Sequence, residues 1–324
     1  MPPSTPAHFL PELHVAVGVI ESADGRILIA QRPSHTHLGG YWEFPGGKLE
    51  PGETVRQALQ RELKEELDIW AEPGRPLIRV RHCYPERRVL LDVWRVTCFD
   101  GTPRGLQGQR LRWVMSEELD RYGFPAANFP IRTAVRLPDC YAILNHEGDR
   151  HRFWDELEHL LESGLTLIQF RAKQLDPHQY AALAYAVIRR CHSAGARVIV
   201  NGEAETAVLL KADGVHLTAK KLMDLSSRPL PLSLWVGASC HNVKELCQAE
   251  RIGADFALLS PLLPTATHPE QPAMGWEQFA LSVDRVNLPV FALGGLGPAD
   301  VGQVQWCGGQ GVAGIRGFLR ERRI

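Results

Sequence analysis

Apolar residues in the first third of the chain fall in short runs broken by turn formers. His14-Val15-Ala16-Val17-Gly18-Val19-Ile20 and Arg26-Ile27-Leu28-Ile29-Ala30 flank Ala23-Asp24-Gly25, which predicts two strands joined as a hairpin. Leu59, Leu63 and Leu67 then recur at helical spacing and predict a helix over 54–67, with Thr54 as its N-cap. Further strands are expected at Arg88–Thr97 and Leu111–Met115. Strands with one marked helix describe an α+β domain of roughly 130 residues.

From Cys140 the rhythm changes. Apolar runs at Tyr141–Leu144, Thr166–Phe170, Arg197–Val200, Gly214–Leu217, Leu234–Ala238, Phe256–Leu259, Val290–Leu293 and Gly311–Ile315 alternate with segments of helical composition. Strands with helical crossovers over about 185 residues predict a (β/α)8 TIM barrel, with an open doubly wound sheet as the rival. The proline-punctuated stretch from Asn128 to Asp139 reads as a connector. Two domains are therefore expected, 1–137 and 138–324.

Composition narrows the setting. The 324 residues carry a formal net charge of -1, so no basic field favours a nucleic-acid polymer. The cysteine count is odd, seven, with no CxxC pair, which suits reduced thiols rather than a disulfide framework or zinc site. No secretory signal and no run of ~18 apolar residues is present, so the expectation is a cytoplasmic protein with no membrane contact.

Charge is concentrated locally. Glu43, Glu50, Glu53, Glu62, Glu65, Glu66 and Asp68 crowd one segment, with Gly46 and Gly47 at its start. Glu62, Glu65 and Glu66 share one helix face, where like charges repel by a few tenths of a kcal/mol per pair. Arg61 offsets part of this, whereas Lys64 points away. Either the face is simply solvated, or a hard divalent cation, Mg²⁺ or Mn²⁺, takes these oxygens.

Gly47, Glu53, the run Arg61-Glu62-Leu63-Lys64-Glu65-Glu66 and Ile69 resemble the Nudix box, with Asp68 where the family usually has glycine. The resemblance implies a metal-dependent diphosphatase. Glu62, Glu65 and Glu66 would be the metal ligands, the Gly46 carbonyl would join them, and Arg61 would orient Glu53. A plain Arg61–Glu53 ion pair is compatible with the same residues. Over residues 13–136 the likeness is to MutT-type 8-oxo-dGTP diphosphatases, through Arg32, His37, Glu43-Phe44-Pro45-Gly46 and Phe124-Pro125-Ala126-Ala127-Asn128. It implies that Asn128 reads an oxidised purine and that Arg32 and Arg87 contact the nucleotide. Alternatively, Asn128 caps a turn and Arg32 is a solvated strand end. Gln107 stands where the MutT pattern has a further glutamate, and glutamine cannot take a proton at neutral pH. Glu53 or another box glutamate would then be the base.

In the second half, Gln169, Arg171 and Lys173 alternate at a strand end and are expected to face one site. The Gly294-Gly295 pair and Gly308-Gly309-Gln310-Gly311 look like phosphate cradles. This half is similar to the thiamine phosphate synthase/TenI family, in QFRAK, VIVNGEAETAVLLKADGVHLT (which contains Asn201), VGASCH, ADFALLSPLLPTATH and PVFALGGL. Synthases carry two aspartates for magnesium and pyrophosphate, at places that here read Gly202 and Lys221. A lysine is replaced by His268, and the phosphate-site serine by Arg316. TenI-type thiazole tautomerases need no metal and use a histidine, which implies that role for His241. A non-catalytic barrel binding a thiazole or thiamine phosphate, and a true synthase, remain alternatives. Fusion to such a barrel also suits a hydrolase of damaged thiamine pyrophosphate, or a barrel that regulates the hydrolase as a scaffold.

Overall fold

The computed structural model describes residues 12–36, 38–264 and 272–319. The chain divides into two compact units, Met1–Leu137 and Pro138–Ile324.

In the first unit the strands are β1 (Glu12–Ile20), β2 (Ile27–Gln31), β3 (Trp42–Glu43), β4 (Gly46–Lys48), β5 (Trp70–Glu72), β6 (Pro76–Tyr84), β7 (Arg87–Val96), β8 (Cys98–Asp100) and β9 (Arg110–Val114). Helix α1 is Val55–Leu67 and α2 is Phe129–Arg136. The main sheet has the order β4-β1-β7-β6, and smaller sheets have the orders β3-β2-β9 and β5-β8. The expected hairpin does not form. β1 runs antiparallel to β4 and parallel to β7, while β2 pairs with β3 and β9. Only a bridge between Glu21 and Ile27 joins β1 to β2. The reason lies in β1 itself, whose two faces are both apolar. Ala16 and Ile20 pack against Leu59, Leu63 and Leu67 of α1, and Val17 and Val19 pack against Ile131 and Ala134 of α2. Such a strand belongs at the centre of a covered sheet, with both its edges taken.

The expected connector is mostly helix. Residues 129–136 form α2, with Pro130 in the first turn and Ile131, Ala134 and Val135 buried. Proline there is a helix opener, since its missing N–H has no intrahelical partner to lose.

The second unit is a closed barrel of parallel strands: β10 (Cys140–Asn145), β11 (Leu167–Arg171), β12 (Arg197–Asn201), β13 (Gly214–Leu217), β14 (Trp235–Cys240), β15 (Phe256–Leu259), β16 (Val290–Leu293) and β17 (Gly311–Gly314). Around it lie α3 (Arg150–Glu162), α4 (Pro177–Ser193), α5 (Ala204–Leu210), α6 (Ala219–Asp224), α7 (Val243–Arg251), α8 (Gly275–Val283) and α9 (Val301–Trp306). Closure through the β10–β17 pairing excludes the open sheet. Tyr141 contacts Phe256 edge-on at 5.2 Å and Phe291 at 5.7 Å between ring centroids. Buried Gln169 and His216 join them. Among the described residues no helix is long and apolar enough to cross a membrane.

Candidate active site

Helix α1 positions the first site. Thr54 caps it with a reciprocal Gln57 bond, and the fully buried Leu59, Leu63 and Leu67 pin its inner face. Asp68 ends it in the left-handed conformation, φ 58°, and its backbone N–H bonds the Leu63 and Lys64 carbonyls. The departure from glycine is thus tolerated, with Lys64 paired to the Asp68 carboxylate and lying over the Trp70 ring. Lys64 indeed points away from the glutamates.

Arg61 is the hub. Its Nε donates to Glu53 Oε1 at 2.8 Å and its Nη2 to Glu53 Oε2 at 2.9 Å. Nη1 donates to Glu62 at 3.0 Å and Glu65 at 3.3 Å, and Nη2 also reaches the Lys48 carbonyl at 3.0 Å. This fork holds the Glu53 carboxyl at about 2. A carboxylate so strongly favoured in its ionised form is an anchor and a poor proton acceptor.

Glu66 is the opposite case. Burial first, then the charges of Glu43 and Glu62, push it up to about 7, although the Gly46 amide donates a bond to it. Burial also raises Glu43, which pairs with Arg32. Gly46 has φ 145°, and a Cβ there would lie 2.1 Å from the Ala16 carbonyl oxygen. At Gly47 a Cβ would overlap the Glu62 carboxylate at 2.1 Å. The two glycines therefore let the backbone turn in against the helix and leave room for a carboxylate.

These residues suit a hard divalent cation by donor chemistry and by charge: carboxylate oxygens cluster, and one is left unneutralised enough to titrate near neutrality. The expected ligand set of Gly46, Glu62, Glu65 and Glu66 is not converged, however. Among the described residues no three acidic, histidine or cysteine side chains are placed to hold an ion as they stand. Arg61 draws Glu62 and Glu65 to itself, and Glu65 is largely exposed. Of the three box glutamates expected on an open face, Glu62 and Glu66 are partly covered.

The segment expected to read the base lies beside this cluster. Phe44 stacks on Phe124 at 5.4 Å, and the Trp42 amide donates to the Gly123 carbonyl at 2.8 Å. Pro45 is buried, and Asn128 is 8% exposed. Asn128 heads α2 without a side-chain cap bond, which removes the capping alternative. Arg32 is tied to Glu43 and is not a free strand end. Arg87 opens β7 opposite Tyr84, exposed at the hairpin tip. His37 lies outside the described residues. Gln107 is exposed, and its backbone N–H donates to Gln109 Oε1 at 2.8 Å; Gln109 Nε2 in turn donates to the Glu66 carbonyl at 3.0 Å. Sequence reasoning missed Tyr84, whose hydroxyl is pushed above its ordinary range first by burial, with Arg32 and Glu43 also acting on it. It also missed Gln109. Tyr84 ends β6, a strand not expected from the sequence although Ile78-Arg79-Val80-Arg81 alternates in it.

In the barrel, Gln169 Nε2 donates to the Tyr141 hydroxyl at 3.1 Å. His216 Nδ1 lies 3.4 Å from that hydroxyl, and its Nε2 lies 3.0 Å from Ser239 Oγ. Burial, with Arg171 nearby, lowers His216 to about 3, so it is neutral. Arg171 bonds Asn145 at 3.0 Å. Lys173 lies past the strand end, in a cleft of about 470 Å³ shared with Tyr180, Asn201, Gly202, Glu203 and Lys221. His241 lines a different cleft of about 600 Å³, beside Met274 and Gln278, with Nδ1 3.0 Å from Glu245.

The glycine predictions need correction. Gly308, Gly309 and Gln310 precede β17, at the end opposite the strand C-termini, and Gly309 is packed against Val304 and Phe279. They cannot cradle a ligand at the barrel mouth. Gly294 and Gly295 do follow β16, at φ 115° and 71°, and the 261–264 loop packs against them, with the Leu263 amide bonding the Gly294 carbonyl.

Comparison with known proteins decides the families. The NUDIX domain family matches residues 16–134, and the thiamine monophosphate synthase family matches 140–318, more than half the chain. The first unit is 37% identical over 120 residues to the 8-oxo-dGTP diphosphatase of Escherichia coli K12, which covers 37% of this chain and 93% of that protein. It is 41% identical over 122 residues to the CTP pyrophosphohydrolase of the same organism, 38% of this chain and 90% of that protein. The second unit is 32% identical over 185 residues to a putative thiamine-phosphate synthase 2 of Aquifex aeolicus, 57% of this chain and all of that protein.

The chain is a Nudix hydrolase joined to a thiamine monophosphate synthase family barrel.

The Nudix unit is therefore a pyrophosphohydrolase domain, of a family that generally uses divalent cations. In the synthase-family unit, Gly202 and Lys221, the two places where the resemblance led to an expectation of aspartates, line the same cleft. The inward His216 was legible as the one polar residue of the buried Gly214-Val215-His216-Leu217 strand, yet sequence reasoning passed over it.

Proposed function

We propose that the Nudix unit cleaves 8-oxo-dGTP, with Mg²⁺, to 8-oxo-dGMP and pyrophosphate. The observation that carries this reading is Asn128, buried beside the Phe44–Phe124 stack with no capping bond. An amide there offers both a donor and an acceptor to a base edge. The cation, when bound, neutralises phosphate charge and activates water. The chain's own residues do the rest. Arg61 fixes Glu53 and the helix start, Glu66 and Gly46 shape the inner wall, and Arg32 exchanges Glu43 for the nucleotide. Water adds at phosphorus, a bridging P–O bond breaks and pyrophosphate leaves.

The likeness to the CTP pyrophosphohydrolase supports a second reading, a pyrimidine nucleotide. The attached barrel supports a third, a thiamine-type pyrophosphate. A panel of 8-oxo-dGTP, dGTP, CTP and oxidised thiamine pyrophosphate with Mg²⁺ separates them. The first reading expects 8-oxo-dGTP to have the highest kcat/KM, and equal rates on 8-oxo-dGTP and dGTP would sink it.

For the barrel, we infer a site for a small phosphorylated ligand of thiazole or thiamine type. His241, oriented by Glu245, is the candidate proton carrier. Turnover of a thiazole phosphate carboxylate that disappears in His241→Ala would support this; a barrel that binds but never converts it is a scaffold or sensor.

A further inference from the structure

The synthase family implies a magnesium ion at the barrel mouth, and the residues present do not fit one. Gly202 supplies no side chain, and a Cβ built there has the Tyr180 hydroxyl, at 3.9 Å, as its nearest neighbour. Among the described residues the cleft contains a single carboxylate, Glu203, and that carboxylate is bonded to the Lys221 ammonium. Lys173 faces the same cleft and, among the described residues, has no ion pair or hydrogen bond. A divalent cation would meet two ammonium groups and one carboxylate already engaged. An anion would meet two donors, one of them free.

We propose that the barrel holds the phosphoryl groups of its ligand without a divalent cation, Lys221 supplying the charge and Glu203 occupying that ammonium until the ligand displaces it. This rests on the reading of the barrel as a phosphate-ligand site. Lys173 and Lys221 then grip phosphoryl oxygens directly, as lysine does wherever it serves as a point charge for phosphate. Asn201, beside them at the end of β12, adds a side-chain amide. Glu203 is an internal competitor, since ligand and carboxylate cannot both take the same ammonium. The exchange forms and breaks no covalent bond.

The test is calorimetric titration of the full chain with inorganic pyrophosphate, in EDTA and again in Mg²⁺. Binding is expected in EDTA, weakened about tenfold or more in Lys221→Ala, as for loss of one charged hydrogen bond. Lys221→Arg keeps it, and Glu203→Gln tightens it several-fold. Binding that appears only with Mg²⁺ and is still lost in Lys221→Ala would overturn the metal-free site while leaving a phosphate-binding barrel. Binding in EDTA that ignores Lys221→Ala would overturn the role of Lys221. No binding sensitive to Lys173 or Lys221 under either condition would overturn both this proposal and the reading beneath it. Signal seen only in Mg²⁺ and removed by Glu66→Gln belongs to the Nudix unit and counts as that last outcome.

Discussion

Two adjacent glycines in the Nudix unit have different jobs, and substitution should separate them. At Gly46 an added Cβ meets backbone, 2.1 Å from the Ala16 carbonyl, at a φ of 145° that only glycine adopts readily. At Gly47 the nearest atoms it meets are the end of the Glu62 side chain, which can swing away. Gly46→Ala should therefore destabilise the fold, by about 1–3 kcal/mol for a forced backbone, seen as a lower thermal midpoint. Gly47→Ala should leave the midpoint nearly unchanged and lower activity, because the carboxylate is displaced. Equal midpoints for both variants would refute the distinction. Glu66→Gln should cost more than about 100-fold in kcat, beyond what even outer-sphere groups of metal sites contribute. Retained turnover would remove Glu66 from the cation site. Arg61→Lys keeps a charge but cannot span Glu53, Glu62 and Glu65 together, so kcat should fall about 10- to 100-fold with little change in KM.

At the scale of elements, α1 presents its glutamates along one edge because leucines bury another. Leu63→Ala, at a fully buried position, should cost about 2–5 kcal/mol; a denaturation midpoint shift well below that range would mean the core closes over the gap. The helix was readable because three signals coincide: Thr54 at its start, leucines four apart and Asp68 at its stop. The barrel strands were equally plain, since parallel strands covered on both faces read as unbroken apolar runs. What stayed hidden were pairings. β1 looked like half of a hairpin because its turn at Ser22–Arg26 is real, with Asp24 and Arg26 bonded across it. Which strand lies beside it is set by the distant β7, and period-two patterning carries no partner label. The short strands β3, β4, β5 and β8 have two or three residues each, too few for any period. Convergence of the box glutamates failed for a related reason. Spacing places them on one face, but it does not say that Arg61 will claim two of them.

At the scale of the whole molecule, each unit has its own core and its own buried polar cluster, and the two clusters respond to pH in different ways. The barrel offers the cleaner test, because His216 is 1% exposed and its neutral form is held by burial. Its folded value of about 3 lies below the ordinary histidine range. Protonation therefore favours the unfolded chain. The stability associated with the neutral ring is complete above pH ~6.5 and is lost as pH falls from there toward 3. Between pH 7 and 5 the loss is about 2 kcal/mol, some 1.5 pH units at 1.36 kcal/mol each. Carboxylates titrate in the same window, so the informative quantity is a difference between proteins. Chemical denaturation of the parent and of His216→Asn at both pH values should show the parent losing about 2 kcal/mol more than the variant. Asparagine keeps a polar partner for Tyr141 and Ser239 while removing the titration. Equal losses in the two proteins would mean that His216 is not held neutral. The barrel interior would then have to solvate a charge beside Arg171, which its aromatic lining of Tyr141, Phe256 and Phe291 opposes.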